Sequence, residues 1–198
     1  KCCEDHIRGI PVECPEEYQP FWNGMSEYLD WFDIIHWSER PLRQDWYHLR
    51  SDDKEVAYVW STEHEYAGCP DIIGEIGGVR IIADFKTSNG PYMNTFPDRG
   101  DRIGYGGFRK YQKCAQQMAA YRLALEERTG YRCDVALIIV TTPEITQGIF
   151  IDGDQLNLYE SRFIKRAQMF HEIDKEKNAI ESGSEQELQE QREPTASS

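Results

Sequence analysis

The sequence predicts an α/β chain of the α+β type, in which a central mixed β-sheet is flanked by helices. Three observations predict this class. Two apolar runs at 69–76 and 79–86 are separated by Gly77-Gly78, a further apolar run covers 134–142, and helical periodicity precedes and follows that run. Two glycines between apolar runs indicate a tight hairpin. The predicted order of helices, three strands, helix, two strands and helix is typical of an α/β or α+β domain with a mixed sheet.

The first 55 residues are expected to form a helical part of the domain, interrupted by prolines. The clearest helical spacing is that of Tyr28, Leu29, Phe32, Ile35 and His36. The core is expected over 56–153. It opens with 56–66, where β-branched and aromatic residues favour a strand.

The second half of the chain alternates loop, helix and strand signals. Residues 88–110 hold five glycines and two prolines, which predicts a long loop, and long loops in compact domains are often functional. Residues 111–128 predict a helix that ends before Gly130. One domain is therefore expected over 1–178. Its last elements are a buried strand at 134–142, a short strand at 148–151 and a C-terminal helix at 154–178. A disordered acidic tail is expected at 179–198.

Composition describes a globular chain rather than a membrane protein. Of 198 residues, 39% are hydrophobic and 29% charged, and no apolar run approaches the ~20 residues of a membrane helix. Six cysteines show no C-x-x-C pair, which argues against a disulfide framework and favours a reduced compartment. The expected location is therefore intracellular, cytoplasmic or nucleoid-associated, with a viral or organellar source left open.

The charge of the chain is acidic overall but unevenly distributed. The net charge is −13, which argues against loose attachment to nucleic acid or anionic membranes. Residues 1–55 carry thirteen acidic and six basic side chains, whereas residues 86–113 carry six basic and two acidic ones. A locally basic surface is thus expected in the middle of the chain.

The predicted hairpin brings two carboxylates together. If Gly77 and Gly78 form the turn, Asp71 faces Asp84, and alternation places Lys86 on the same face one step beyond. Like charges directly opposed across a sheet are destabilising, so a compensating cation is expected. That cation is Lys86, a divalent metal, or both. The simpler alternative is a frayed strand end where Lys86 neutralises one aspartate.

A metal between these aspartates would give the site a hydrolytic chemistry. Mg²⁺ takes oxygen ligands and is commonly held by one or two carboxylates together with substrate phosphates. It activates water and stabilises charge on a phosphoryl oxygen, and Lys86 is placed to hold that water or the phosphate. Glu63 or Glu65 on the preceding strand is expected to supply a third carboxylate, the alternative being a solvated strand face.

The same residues resemble the RecB-like exonuclease branch of the PD-(D/E)XK nuclease superfamily. The matching segments are Tyr-Ala-Gly-Cys-Pro-Asp at 66–71, Ala-Asp-Phe-Lys-Thr-Ser at 83–88, and a helix with Gln117 and Tyr121 in a Gln-x-x-x-Tyr pattern. The resemblance covers roughly 56–142. It implies a restriction-endonuclease-like core.

The resemblance also implies roles for individual residues. Asp71, Asp84 and Lys86 would be catalytic, and Mg²⁺ or Mn²⁺ would be held by Asp71, Asp84 and the backbone carbonyl of Phe85. Gln117 and Tyr121 would support the site or touch DNA.

The chain departs from this branch in two ways. The branch usually carries a metal-binding histidine on an N-terminal helix, which here would fall at or before Lys1, leaving His6 as the early candidate within the chain. Some relatives hold an iron–sulfur cluster through cysteines after the core. No cysteine follows Cys133, so no cluster is expected.

DNA contact is expected from residues 88–113. Basic side chains neutralise phosphates, and aromatic rings stack on unpaired bases. The alternative is a solvated, flexible loop. The basic candidates are Arg99, Arg102, Arg109, Lys110 and Lys113, interleaved with Tyr92, Phe96, Tyr105, Phe108 and Tyr111.

The resulting hypothesis is a metal-dependent DNA exonuclease that acts on linear single- or double-stranded ends in recombination, repair or replication. One alternative is an endonuclease of the same fold, resolvase-like or restriction-like. The other is a non-catalytic DNA-binding module, although such a module would be expected to lose Asp71, Asp84 or Lys86. The sequence leaves strand preference, digestion polarity and the choice between Mg²⁺ and Mn²⁺ open.

Overall fold

The architecture is a mixed sheet with helices on both faces. A computed structural model describes residues 1–50 and 57–190, with side chains described as far as residue 179. The helices are α1 (Cys2–Ile7), α2 (Gln19–Leu29), α3 (Arg102–Thr129) and α4 (Gly153–Glu190). The strands are β1 (Ile34–Ser38), β2 (Val59–Ser61), β3 (Tyr66–Gly68), β4 (Ile72–Ile76), β5 (Val79–Thr87), β6 (Val135–Thr141) and β7 (Thr146–Ile151).

The main sheet has five strands in the order β1-β4-β5-β6-β7. The β5–β6 pair is parallel, and the other three pairs are antiparallel. The parallel pair is connected through α3, as parallel strands require a crossover. The predicted α+β class with a central mixed sheet flanked by helices is confirmed.

The β4–β5 hairpin has the predicted register. Ile76 pairs with Val79, and Ile72 pairs with Ala83. Gly77 and Gly78 have φ angles of 57° and 77°, the positive values that a two-residue turn of this kind needs. The Gly77 N–H also donates to Asp33 Oδ2 at 2.6 Å, which fixes the turn against the start of β1.

Each face of the sheet carries its own core. On one face Ile72 and Ile81 pack with Met25 and Leu29 of α2. On the other face Ile73 and Ile82 belong to a larger cluster with residues of α3, including Met118 and Leu125. The hairpin face that bears the aspartates therefore has its apolar pair, Ile73 and Ile82, between the Glu75–Arg80 pair near the turn and the aspartates at the open end.

The N-terminal part is less helical than predicted, since Ile35 and His36 lie in β1 and not in a helix. The register between β1 and β4 shifts between Ile35 and Trp37, which is a β-bulge. The bulge places His36 and Trp37, neighbours in sequence, both in buried positions. It therefore hides the alternation by which a strand is usually predicted.

The strand predicted over 56–66 is two short strands rather than one. Residues 51–56 lie outside the described part of the chain, and residues 59–68 form the β2–β3 hairpin, a separate two-stranded sheet. Its turn covers 62–65, where the His64 N–H donates to Ser61 Oγ at 3.1 Å and Glu65 has a φ of 52°.

Helix α3 begins at Arg102, nine residues before the predicted start, so the loop covers only 88–101. Asp101 caps the helix because its carboxylate accepts the Gly104 N–H at 2.8 Å. Gly107 permits close packing: a Cβ there would lie 2.7 Å from the Pro91 carbonyl oxygen. The helix ends before Gly130 (φ 70°), as predicted.

Helix α4 is longer than predicted. It continues past residue 178 to Glu190, through part of the expected disordered tail, and 191–198 lie outside the described residues. Glu, Gln and Leu are good helix formers, which is consistent with helical backbone in this stretch. Within the described residues, no helix combines the length and apolar character needed to cross a membrane.

A buried polar network joins α3 to α4. Arg122 is 1% exposed, and its Nε donates to Glu160 Oε1 at 2.7 Å. Its Nη2 donates to Asn157 Oδ1 at 2.6 Å, and Arg132 reaches the same Asn157 oxygen at 2.9 Å. The network sets the spacing between the two helices, which form the walls of the site described next.

Candidate active site

The open end of the hairpin places Asp71 beside Asp84. Asp84 lies in β5 and is 2% exposed, and Asp71 directly precedes β4. The two carboxyl groups interact side chain to side chain. Asp71 Oδ2 also accepts the backbone N–H of Phe85 at 2.7 Å, which closes the hairpin at this end.

Both carboxyl groups resist ionisation. Burial, and then the neighbouring Asp84 charge, raise the pKa of Asp71 to about 6. Burial also raises the pKa of Asp84, although Lys86 acts in the opposite direction. Two carboxylates in one buried site disfavour each other's charged form unless a cation compensates.

Lys86 is the cation that the structure brings to this pair. Its ammonium forms an ion pair with Asp84 Oδ2, and its side chain is 28% exposed. Burial opposes its charge, but Asp84 outweighs burial and raises the pKa of Lys86 above its ordinary value. Asp84 Oδ2 is buried and accepts no hydrogen bond of regular geometry from the described residues.

The donor set around Asp84 fits a hard divalent cation. Asp71 and Asp84 supply carboxylate oxygens. The Phe85 N–H points to Asp71, and because the N–H and C=O of a strand residue point to the same side, its carbonyl does too. Oxygen donors of this kind suit Mg²⁺ or Mn²⁺, which usually retain water or substrate oxygens as well.

The loop before β4 is held by residues that sequence reasoning missed. Trp37 Nε1 donates to the Pro70 carbonyl at 2.7 Å, and the Glu39 N–H donates to the Asp71 carbonyl at 2.9 Å. Trp37 lies in β1 and Glu39 directly follows it, in a segment that the sequence had predicted to be helical. The β-branched and aromatic residues Ile34, Ile35 and Trp37 were the strand signal available in the sequence.

Gln117 and Tyr121 meet on one face of α3, as their spacing predicts. Gln117 Nε2 donates to the Tyr121 hydroxyl at 2.7 Å. Tyr121 fits only because residue 68 is glycine: a Cβ at Gly68 would lie 2.1 Å from Tyr121 Cε1. Burial raises the pKa of Tyr121, and the charges of Asp84 and Asp71 add to that effect.

The expected third carboxylates do not join the pair. Glu63 and Glu65 lie on the turn between β2 and β3, with side chains 80% and 66% exposed, rather than on a shared strand face. Glu65 faces His171 at 3.7 Å. Within the described chain, no three His, Cys, Asp or Glu side chains form a group spaced to bind a metal.

His6 is engaged elsewhere. Its Nε2 lies 2.8 Å from Asp30 Oδ1, and its ring packs edge-on against Trp22 of α2. The structure therefore gives this histidine a place in the packing of α1 on α2.

A groove of about 870 Å³ runs between α3 and α4 and reaches the carboxylate pair through Lys86. We call it the α3–α4 groove. Its lining includes Lys86, Lys110, Lys113, Gln117, Arg166 and Phe170.

The predicted basic residues divide into two groups. Lys110 and Lys113 line the α3–α4 groove, and Lys110 Nζ donates to Ser88 Oγ at 3.1 Å. Arg99, Arg102 and Arg109 are exposed outside it, on the loop and the first turns of α3. A spacing of seven residues puts Arg102 and Arg109 on one helix face.

The interleaved aromatic residues are mostly structural. Tyr92 and Tyr111 are 8% and 4% exposed and belong to the core, so their expected stacking on bases is wrong. Phe96 and Tyr105 are exposed and contact each other edge to face. The loop is anchored, because the Tyr92 N–H donates to Gln147 Oε1 at 3.0 Å.

No protein-family model matches this chain, and no curated protein is significantly similar to it. The interpretation of the site rests on its own geometry.

Proposed function

We propose that this protein is a metal-dependent deoxyribonuclease with a restriction-endonuclease-like core, acting inside the cell as an exonuclease on DNA ends in recombination, repair or replication. The observation that carries the proposal is the interacting pair of carboxyl groups of the half-buried Asp71 and the buried Asp84, with Lys86 at the head of a basic groove. Perturbed titratable groups that converge on a cavity are typical of catalytic sites.

Asp71, Asp84 and the Phe85 carbonyl would hold Mg²⁺ or Mn²⁺. When bound, such an ion supplies an activated water and positive charge for a phosphoryl oxygen. The proposal includes no iron–sulfur cluster.

The other roles belong to side chains of the chain itself. Lys86 stays protonated because of Asp84, so its ammonium can hold the scissile phosphate or the attacking water in place. Gln117 and Tyr121 support this face of α3 through their mutual hydrogen bond. Lys110 and Lys113 on the groove wall, with Arg99, Arg102 and Arg109 beyond it, would contact the DNA backbone.

The acidity of the rest of the molecule would confine DNA to this surface. A net charge of −13 repels phosphates over most of the protein, while the groove lining carries Lys86, Lys110, Lys113 and Arg166.

The test is degradation of end-labelled single- and double-stranded linear DNA, beside a closed circle, with Mg²⁺, Mn²⁺ or EDTA. The wild type is compared with Asp84→Asn and with the control Asp45→Asn. Asp45 is an exposed aspartate that pairs with Arg43 and is distant in sequence from Asp84. Metal-dependent loss of linear DNA by wild type and Asp45→Asn, but not by Asp84→Asn, is expected.

Two results would overturn the proposal in different ways. Cutting of the circle would make the enzyme an endonuclease of the same site. DNA binding without any cleavage would leave a non-catalytic binding module.

A further inference from the structure

The α3–α4 groove has the volume of a small-ligand site. Its volume of about 870 Å³ falls in the ~300–1,000 Å³ range of clefts that bind one small ligand. A few unpaired nucleotides are the form of DNA that suits a space of this size.

The groove is basic on both walls. Lys110 and Lys113 stand on the α3 wall and Arg166 on the α4 wall, while Glu65 is the acidic residue among the described groove residues. Arg166 Nη1 donates to Gln116 Oε1 at 3.1 Å, so its guanidinium points across toward α3. Cations on two sides of a narrow groove suit a single phosphate backbone.

The α4 wall also presents aromatic rings. Phe163 and Phe170 are seven residues apart and share one face of the helix. Phe163 packs edge-on against Tyr66, with ring centroids 4.7 Å apart. Phe170 is 65% exposed within the groove lining, four residues after Arg166. An exposed ring beside a cation is the usual platform for an unpaired base.

The walls are held at a fixed spacing. The buried Arg122 bonds Glu160 and Asn157 of α4, below the groove, so α3 and α4 cannot separate without leaving a buried charge unpaired.

We propose that the α3–α4 groove binds one unpaired DNA strand and delivers it to Lys86, with Phe170 stacking on a base and Arg166 contacting a phosphate. The inference rests on the proposed function for the identity of the ligand as DNA. It assigns single-stranded DNA, or the frayed strand of an end, as the substrate form, and it gives α4 the second wall of the binding site.

The test measures binding alone. A fluorescein-labelled DNA 12-mer, single-stranded or annealed to its complement, is titrated with the full chain in EDTA and followed by fluorescence anisotropy. The variants are Phe170→Ala and Arg166→Gln. The control is Met169→Ala, which removes an adjacent exposed apolar side chain of α4 that does not line the groove.

We expect the single strand to bind at least about tenfold more tightly than the duplex, given the stacking contribution of each base. Phe170→Ala should weaken single-strand binding about tenfold, and Met169→Ala should leave it within about twofold. Arg166→Gln should lower the slope of log affinity against log salt by about one.

Equal affinity for single strand and duplex would overturn the inference, and so would equal effects of Phe170→Ala and Met169→Ala, or the absence of DNA binding. Because the titration measures binding and no cleavage, its outcome is independent of the outcome of the nuclease assay. A protein that binds the single strand through Phe170 and cuts nothing keeps this inference and loses the proposed activity.

Discussion

The Asp71 carboxylate accepts the backbone N–H of Phe85 at 2.7 Å, across the open end of the β4–β5 hairpin. This one contact ties a side chain proposed to bind metal to the backbone of the strand that carries Asp84 and Lys86. It holds the half-buried Asp71 carboxylate where its charge is unfavourable, because burial and Asp84 both raise the pKa of Asp71. The Asp71 charge therefore destabilises the metal-free protein, and the same charge is available to bind a cation.

Asp71→Asn should stabilise the metal-free protein while abolishing metal-dependent cleavage. Asparagine keeps an oxygen that can accept the Phe85 N–H and removes the charge that opposes Asp84. A rise of about 1–2 kcal/mol in the free energy of unfolding is expected near neutral pH, measured by urea unfolding in EDTA. A loss of stability would mean that the Asp71 charge is already compensated.

The pH dependence of that difference has a definite sign. The folded pKa of Asp71 is about 6, above its unfolded value near 3.9, so between these values the folded state binds more protons than the unfolded state. The contribution of Asp71 to stability is therefore greatest at low pH and is lost as pH rises through about 6. The stability advantage of Asp71→Asn over wild type should grow from about pH 4 to about pH 7 and then level off. An advantage that shrinks with rising pH would contradict the assigned shift.

Metal affinity should follow the same titration. A cation competes with the proton on Asp71, so binding should tighten as pH rises through about 6. The expected result is a rise in melting temperature on adding Mn²⁺ near pH 8 that is much smaller near pH 5. The control is Asp84→Asn, for which Mn²⁺ should have little effect at either pH.

The sequence predicts the hairpin and its carboxylates well because the determinants are local. Gly77-Gly78 fixes the turn, and alternation along two short strands then determines which residues oppose each other. The Gln117–Tyr121 contact is equally local, since both residues lie on one helix face.

What could not be predicted depends on contacts between distant segments. The strand at 34–38 is hidden by a bulge whose two buried residues, His36 and Trp37, are satisfied by Glu75 and Pro70. The second wall of the groove arises because Arg122 meets Glu160, 38 residues away. Neither the bulge nor a buried arginine leaves a periodic pattern in the sequence.

Glu160→Ala should destabilise the protein strongly. It leaves the buried Arg122 guanidinium without its carboxylate, a change that typically costs about 3–5 kcal/mol. Asp45→Ala is the matched control, because Asp45 pairs with Arg43 on the surface, away from the α3–α4 network, where loss of the pair costs about 1 kcal/mol or less. Urea unfolding of both variants makes the comparison. Equal costs would show that the α3–α4 network does not hold the groove walls.

Two adjacent glycines at the start of α3 should respond oppositely to alanine. A Cβ at Gly106 would meet nothing within 4 Å, so Gly106→Ala should raise the free energy of unfolding by about 0.5–1 kcal/mol, the usual gain within a helix. A Cβ at Gly107 would lie 2.7 Å from the Pro91 carbonyl oxygen, so Gly107→Ala must push the 88–101 loop away from α3. That displacement should lower stability and weaken DNA binding, because the same loop carries Ser88, which bonds the Lys110 ammonium. Urea unfolding and DNA titration of both variants test this, and similar behaviour of the two would show that the loop does not pack on α3 as described.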